Sequence, residues 1–167
     1  EDTSEQKYLF VTPFLSEVDR IKSSVKNKRF FEPKNLGEGK LDSLHKLILD
    51  GKNIASTHAL FKMATEETIG LLRANNYTLI LDEVMDVVEE VPLNKNDLEL
   101  LFSSDMIRVD KDNNNLGIWN EDKLDWDTKY NSLRNQCLSK NVFMVNNTLL
   151  MWTFPIEVFK SFRNVYV

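Results

Sequence analysis

Apolar positions along this chain switch between two rhythms, and the switch predicts alternating strands and helices. "YLFVT" (8–12) is a short, β-prone apolar run that reads as a buried strand, and Pro13 stops it. "FLSEVDRIKSSVKN" (14–27) places apolar residues at 14, 15, 18, 21 and 25, which is helical spacing. "RFFEP" and a turn-rich "KNLGEGK" follow. "LDSLHKLILDG" (41–51) is again helical, with Leu41, Leu44, Leu47 and Ile48 on one face and Gly51 suited to a C-terminal stop. "NIAST" (53–57) predicts a weak strand. "HALFKMATEETIGLLRANN" (58–76) predicts helix, broken near Thr65, which can cap a second segment carrying Glu66 and Glu67 in its first turn. "YTLILDE" (77–83) is the clearest strand.

The second half continues with a helix over 94–104, capped at Asn94 or Asn96. "MIRVDKDNNNLGIWN" (106–120) alternates, turns at its Asn run and alternates again, which predicts a hairpin. A helix over 127–140, strand-like runs at 142–147 and 148–154, a short helix after Pro155 and a final strand "VYV" complete the order. The expected fold is α/β: a mostly parallel sheet with helices on both faces and the 106–120 hairpin as an excursion from its edge. Residues 1–7 are polar and expected to fray. The chain, which starts close to a buried strand and ends on an apolar one, reads as one domain cut at both ends.

Composition narrows this little. The 167 residues suit one domain or most of one, and a hydrophobic content of 42% with 28% charged residues is that of a globular protein. No apolar run approaches the ~18 residues of a spanning helix. Cys137 is the single cysteine, which excludes an internal disulfide and fits a reducing, cytoplasmic setting. It reads as a packing residue. His45 has no Cys or His at metal spacing. A net charge of −5 makes any nucleic-acid contact local. The best local candidate runs through Arg20, Lys22, Lys26, Lys28, Arg29 and Lys34; a solvated helix face and loop is the alternative.

The candidate chemistry begins at "LILDEVMD" (79–86). Ligands of open α/β sheets bind beyond the carboxyl ends of the strands, and Asp82 and Glu83 sit at such an end. They can be a strand simply reaching solvent. They can also hold a metal and a water beside a phosphate.

Their neighbours favour the second option. "FVTPFLSEVDRI" resembles motif Ia of superfamily 2 helicases and translocases, a strand ending in Thr-Pro before a helix. "ASTHALF" resembles the Ib region of branch-migrating members, "LILDEVMD" the DExx box, and "LLMWTFPIEVF" motif III. The resemblance spans about residues 8–160 and has the flavour of phage-encoded helicase-like ATPases. It implies a motor domain of the P-loop NTPase type that hydrolyses ATP with Mg²⁺ on nucleic acid, DNA rather than RNA. Asp82 would support the metal and Glu83 would activate water. Thr12, Pro13, Thr57 and His58 would lie along the nucleic-acid backbone. Thr153, with Pro155, would belong to the turn that couples ATP state to grip.

The departures are as informative. The phosphate loop G-x-x-x-x-G-K-[ST] is absent. Gly39-Lys40 is followed by Leu41, and Gly51-Lys52 by Asn53, while Lys34 and Lys46 stand where the earlier glycine belongs. The phosphate-loop segment and a second motor domain would therefore be partners from outside this sequence, and the chain alone should hydrolyse ATP poorly or not at all. Met85 stands where many relatives carry a polar residue, and Trp152 and Phe154 replace small or hydroxylated residues of motif III. The alternative function is a non-catalytic α/β module that binds a protein or nucleic acid, with Asp82 and Glu83 as a relic.

Overall fold

The computed structural model describes residues 6–35, 37 and 39–167. The expected fraying of residues 1–7 falls, for residues 1–5, outside the described residues, as do Leu36 and Glu38 of the "KNLGEGK" loop. Gln6 and Lys7 are tied down instead. The Gln6 amide donates to Thr78 Oγ1 at 3.2 Å, and Lys7 Nζ donates to the Asn75 carbonyl at 3.2 Å.

The chain folds as two compact units. The first comprises Glu1–Met85 and Ile156–Val167. Its strands are β1 (Tyr8–Thr12), β2 (Phe30–Phe31), β3 (Asn53–Thr57), β4 (Thr78–Leu81) and β10 (Asn164–Tyr166). They form one sheet in the order β10-β4-β1-β3-β2, with every neighbouring pair parallel. The expected parallel α/β arrangement holds here.

The helices of this unit are α1 (Leu15–Ser24), α2 (Lys40–Leu49), α3 (His58–Phe61), α4 (Glu66–Asn75) and α7 (Ile156–Lys160). Val18 and Ile21 of α1 pack with Phe30 and Ala55, flanked by Tyr8 and Phe10. Alternation puts Leu9, Val11 and Ile54 on the opposite face. They are fully buried too, so the centre of the sheet is covered on both sides.

The boundaries follow local chemistry. Gly51, at φ 64°, supplies the left-handed residue after α2. Thr65 accepts from the Thr68 backbone N–H and Thr68 returns the bond, so the break expected near Thr65 is a capping box. Asn76, at φ 54°, ends α4 and turns the chain into β4.

The second unit is Asp86–Pro155. It holds β5 (Val88–Glu90), α5 (Lys95–Ser103), β6 (Ile107–Asp110), β7 (Leu116–Trp119), a 3-10 turn (Glu121–Lys123), α6 (Asn131–Leu138), β8 (Val142–Val145) and β9 (Leu149–Thr153). Its sheet is antiparallel, in the order β5-β9-β8-β7-β6.

That corrects the expected single sheet. The 106–120 hairpin exists, as β6 and β7, but β7 pairs with β8 of the antiparallel sheet, so the hairpin is no excursion from the parallel strands. The runs at 142–147 and 148–154 are themselves a hairpin. Asn146 and Asn147 take φ 50° and 57°, successive left-handed residues at the centre of a tight turn that the Thr148 N–H closes on the Val145 carbonyl at 3.0 Å. Leu101, Ile107, Leu116, Trp119, Val142, Leu150 and Trp152 fill this unit's core. Asn94 caps α5 by accepting from the Asp97 N–H at 2.8 Å.

Candidate functional site: the carboxyl edge of the parallel sheet

Three adjacent strands of the first unit end side by side. The registers set Thr12 opposite Thr57 and Val11 opposite Leu81. Each strand releases its chain at the same level; of the four residues expected to contact the nucleic-acid backbone, Thr12 and His58 reach the predicted metal residue there, and Thr57 lies opposite Thr12. The Asp82 N–H donates to the Val11 carbonyl at 2.8 Å, which carries the ladder one residue beyond β4. Thr12 is fully buried, and its hydroxyl reaches Asp82 Oδ2 at 3.5 Å. His58 Nε2 lies 3.2 Å from the Asp82 carbonyl. A carbonyl only accepts, so Nε2 is the donor in this contact. Asp82 is thus held by β1 through its N–H, by Thr12 through its carboxylate and by α3 through its carbonyl. Asp82 is half-exposed, and its other carboxylate oxygen has no hydrogen-bond partner among the described residues.

Glu83 adopts φ 69°. Left-handed backbone is uncommon for a residue with a long side chain and costs on the order of 1–2 kcal/mol. β4 has already ended at Leu81, so the strand's strict two-fold alternation does not extend to Glu83. Glu83 is exposed and has no hydrogen-bond or ion-pair partner among the described residues. Pro13 is half-exposed at the end of β1. The first turn of α1 follows it with no side-chain cap, flanked by exposed Phe14 and Leu15.

Thr57 differs from the expected role in one respect. Its hydroxyl accepts from the Leu60 N–H at 3.4 Å, so it caps the four-residue α3 and is partly committed. Thr153 is not part of this cluster. It closes β9 in the antiparallel unit, opposite Val88, and its hydroxyl and N–H both donate to the Asn141 carbonyl. The expectation that it follows a strand of the parallel sheet is therefore corrected: the β8–β9 hairpin draws the segment into the other sheet.

Ser56 was not legible as a site residue. It is 3% exposed, and its hydroxyl has no hydrogen-bond partner. It lines a cavity of about 10 Å³ with Thr57, Glu32, Lys40 and the start of α1. That is room for about one water. A larger surface cavity, about 330 Å³, lies within the second unit. Val91, Leu93, Leu98, Leu149 and Leu150 line it together with Glu90, Lys95 and Asn147.

Magnesium in a phosphate-transferring site needs one or two carboxylates, waters and the phosphates themselves rather than a protein cage. Asp82 with Glu83 fits that donor set. Among the described residues no group of three or more His, Cys, Asp or Glu is placed to hold a metal alone.

What the fold and site define is a class: a parallel α/β unit with an acidic, hydroxyl-bearing carboxyl edge, joined to an antiparallel unit. Residues 88–152, nearly all of the antiparallel unit, match the family described as the YonV middle domain. The whole chain is similar to the SPbeta prophage-derived uncharacterized protein YonV of Bacillus subtilis (strain 168), 42% identical over 176 residues. The match covers 99% of this chain and 42% of that protein, so the chain spans about two fifths of the relative's length. No solved structure matches the chain. No helix among the described residues is long and apolar enough to cross a membrane.

Proposed function

We propose that this chain carries the Mg²⁺-supporting and strand-gripping part of an ATP-dependent nucleic-acid helicase or translocase of the superfamily 2 type, acting on DNA rather than RNA. The observation that carries the reading is the convergence of Thr12, His58 and Asp82 at one edge of three parallel strands. Residues that lie 46 and 24 positions apart in the sequence meet at one residue, Thr12 on the Asp82 carboxylate and His58 on its backbone carbonyl.

In this reading Asp82 supports Mg²⁺ through water, its orientation fixed by Thr12 and by the backbone. Glu83, just past the end of the strand, polarises the attacking water. Thr12, Pro13, Thr57 and His58 line the path of the nucleic-acid backbone, where hydroxyls and backbone N–H groups grip phosphates without a strongly basic surface. Thr153 and Pro155 act as the coupling turn. The bound metal supplies charge neutralisation of the phosphates. The phosphate cradle comes from a segment with the missing G-x-x-x-x-G-K-[ST] pattern, and a second motor domain completes the machine. The prophage relative is in keeping with a phage-encoded protein.

The test is ATP hydrolysis by the full-length protein with and without single-stranded DNA. Stimulated turnover that Glu83→Gln abolishes, with nucleotide binding retained, is the expected result. Turnover by the 167-residue chain alone that disappears in Glu83→Gln would contradict the split-pocket reading.

A second reading is a non-catalytic binding module. The 330 Å³ cavity in the antiparallel unit favours it, since its size and apolar lining are those of a ligand or side-chain pocket. In that case Asp82 only fastens β4 to β1, and the full-length protein neither binds nor hydrolyses ATP.

A further inference from the structure

The basic stretch between Arg20 and Lys34 divides once its partners are known. Arg20 is paired with Glu17, and Lys22 bridges Asp19 and Glu32, so those charges are neutralised within the unit. Arg29 is different. It immediately precedes β2, and its guanidinium carbon lies 4.8 Å from the centre of the Phe31 ring. Lys52 immediately precedes β3, and its Nζ lies 5.9 Å from the same ring centre. Both are exposed, and neither has a carboxylate partner among the described residues. Asp50, two residues before Lys52, pairs with neither.

The strand registers make the arrangement a row. Phe30 lies opposite Asn53 and Leu9 opposite Ile54. One position back on β2 and two on β1, Arg29 and Lys7 flank Lys52 on either side. Neighbouring strands run about 4.8 Å apart. Three cations therefore open three adjacent strands at the amino edge of the parallel sheet, the edge opposite Asp82. Lys7 Nζ also donates to the Asn75 carbonyl, and Lys7 remains half-exposed. Like charges on neighbouring strands repel. The chain has 26 acidic residues against 21 Lys and Arg, yet among the described residues none is paired with Arg29 or Lys52.

We propose that Lys7, Lys52 and Arg29 form a docking strip for the phosphodiester backbone of single-stranded nucleic acid. A line of cations suits a polymer whose charges recur at regular intervals. A compact anion would need the cations to converge. The Arg29 guanidinium presents a fork matched to phosphate oxygens, and the Phe31 ring behind both cations strips water from one side without removing their charge. The strip does not depend on Asp82 chemistry. The choice of nucleic acid over an acidic protein rests on the function proposed above, and the strand would run on both edges of the sheet.

The experiment is fluorescence anisotropy of a labelled single-stranded oligonucleotide with this chain, titrated over a range of salt without nucleotide. The Arg29→Gln/Lys52→Gln double variant is compared with Lys111→Gln/Lys140→Gln, which removes the same charge from exposed positions in the other unit. Thermal melting verifies that each variant folds. The expected result is affinity lower on the order of tenfold for Arg29→Gln/Lys52→Gln, with a salt slope shallower by ~1.4 for two lost phosphate contacts, and parental behaviour for the control.

Equal weakening by both doubles would overturn the strip, as would an unchanged Arg29→Gln/Lys52→Gln protein or a parent that does not bind the oligonucleotide. Poly-glutamate binding that depends on Arg29 and Lys52, without oligonucleotide binding, would reassign the row to an acidic protein. His58→Ala separates the two edges. If it weakens binding and the Arg29/Lys52 variant does not, the proposed function survives and the strip falls. The reverse outcome upholds the strip alone.

Discussion

Asp82→Asn separates a catalytic carboxylate from a structural one, because the two roles predict effects of different size in different assays. The side chain accepts one hydrogen bond, from Thr12, at the long distance of 3.5 Å, and is half-exposed. The contacts that fix the backbone, from the Asp82 N–H to Val11 and from His58 to the Asp82 carbonyl, do not use the carboxylate. Asn retains an acceptor oxygen. The loss in stability is therefore no more than about 1 kcal/mol. For a chain of this size that is a fall in melting temperature of roughly 2–4 °C. If the carboxylate supports Mg²⁺, the full-length protein should lose on the order of 100-fold in nucleic-acid-stimulated ATP turnover, as other pre-positioned charge stabilisers do when removed. A 100-fold loss is about 2.7 kcal/mol of barrier, well above the structural term. The assays are thermal unfolding of the chain and steady-state hydrolysis by the full-length protein. A large fall in melting temperature, with turnover falling only in proportion to folded protein, would refute the reasoning and make Asp82 a strand fastener.

Three further outcomes follow from the packing. Tyr77 is fully buried and its hydroxyl donates to the Lys52 carbonyl at 2.6 Å, so Tyr77→Phe should cost about 1–2 kcal/mol in urea unfolding. Burial raises that phenol above its ordinary range. Asp97 accepts from both Lys129 and Tyr130, at 2.6 Å each, and the Lys129 bond, then the Tyr130 bond, hold its carboxyl below the usual carboxylate range. A depressed carboxyl contributes stability above its unfolded value that is lost as pH falls through the folded one; Asp97→Asn should flatten the acid limb of the unit's unfolding curve. Burial pushes the Cys137 thiol up to about 12, so alkylation at pH 8 should wait for unfolding, and rapid labelling of the native chain would contradict the packing of α6.

The parallel unit was readable because its signals are local. "YLFVT" and "LILDE" announce buried strands by composition, Gly51 and Thr65 mark helix ends by the only chemistry that suits those positions, and helices between strands imply parallel neighbours. The antiparallel unit was misassigned because that alternation was extended past Glu83. The correcting signal was present. Asn146-Asn147 between two β-prone runs is a tight-turn dipeptide, and a tight turn forces antiparallel pairing. β5 offered no comparable signal: Val88, Glu89 and Glu90 are all exposed, so its membership in a sheet rests on pairing with β9 and on no pattern of its own.

The same division separates what was legible in the site from what was not. That Thr12 and Asp82 end strands follows from sequence, and that strand ends of one parallel sheet share an edge follows from topology. Which of the other residues act there depends on how each side chain is satisfied. Thr57 spends its hydroxyl on α3, Ser56 is buried without a partner, and Glu83 sits in a left-handed bend that no residue type at that position announces. The basic stretch behaves likewise. Arg20, Lys22 and Arg29 look alike in sequence, but the first two are paired with acids and the third shares the Phe31 ring with Lys52. Residue type sets what chemistry is possible at a position; only the account of partners shows which charges and hydroxyls remain available to a ligand, and in this unit those lie at both ends of the same strands.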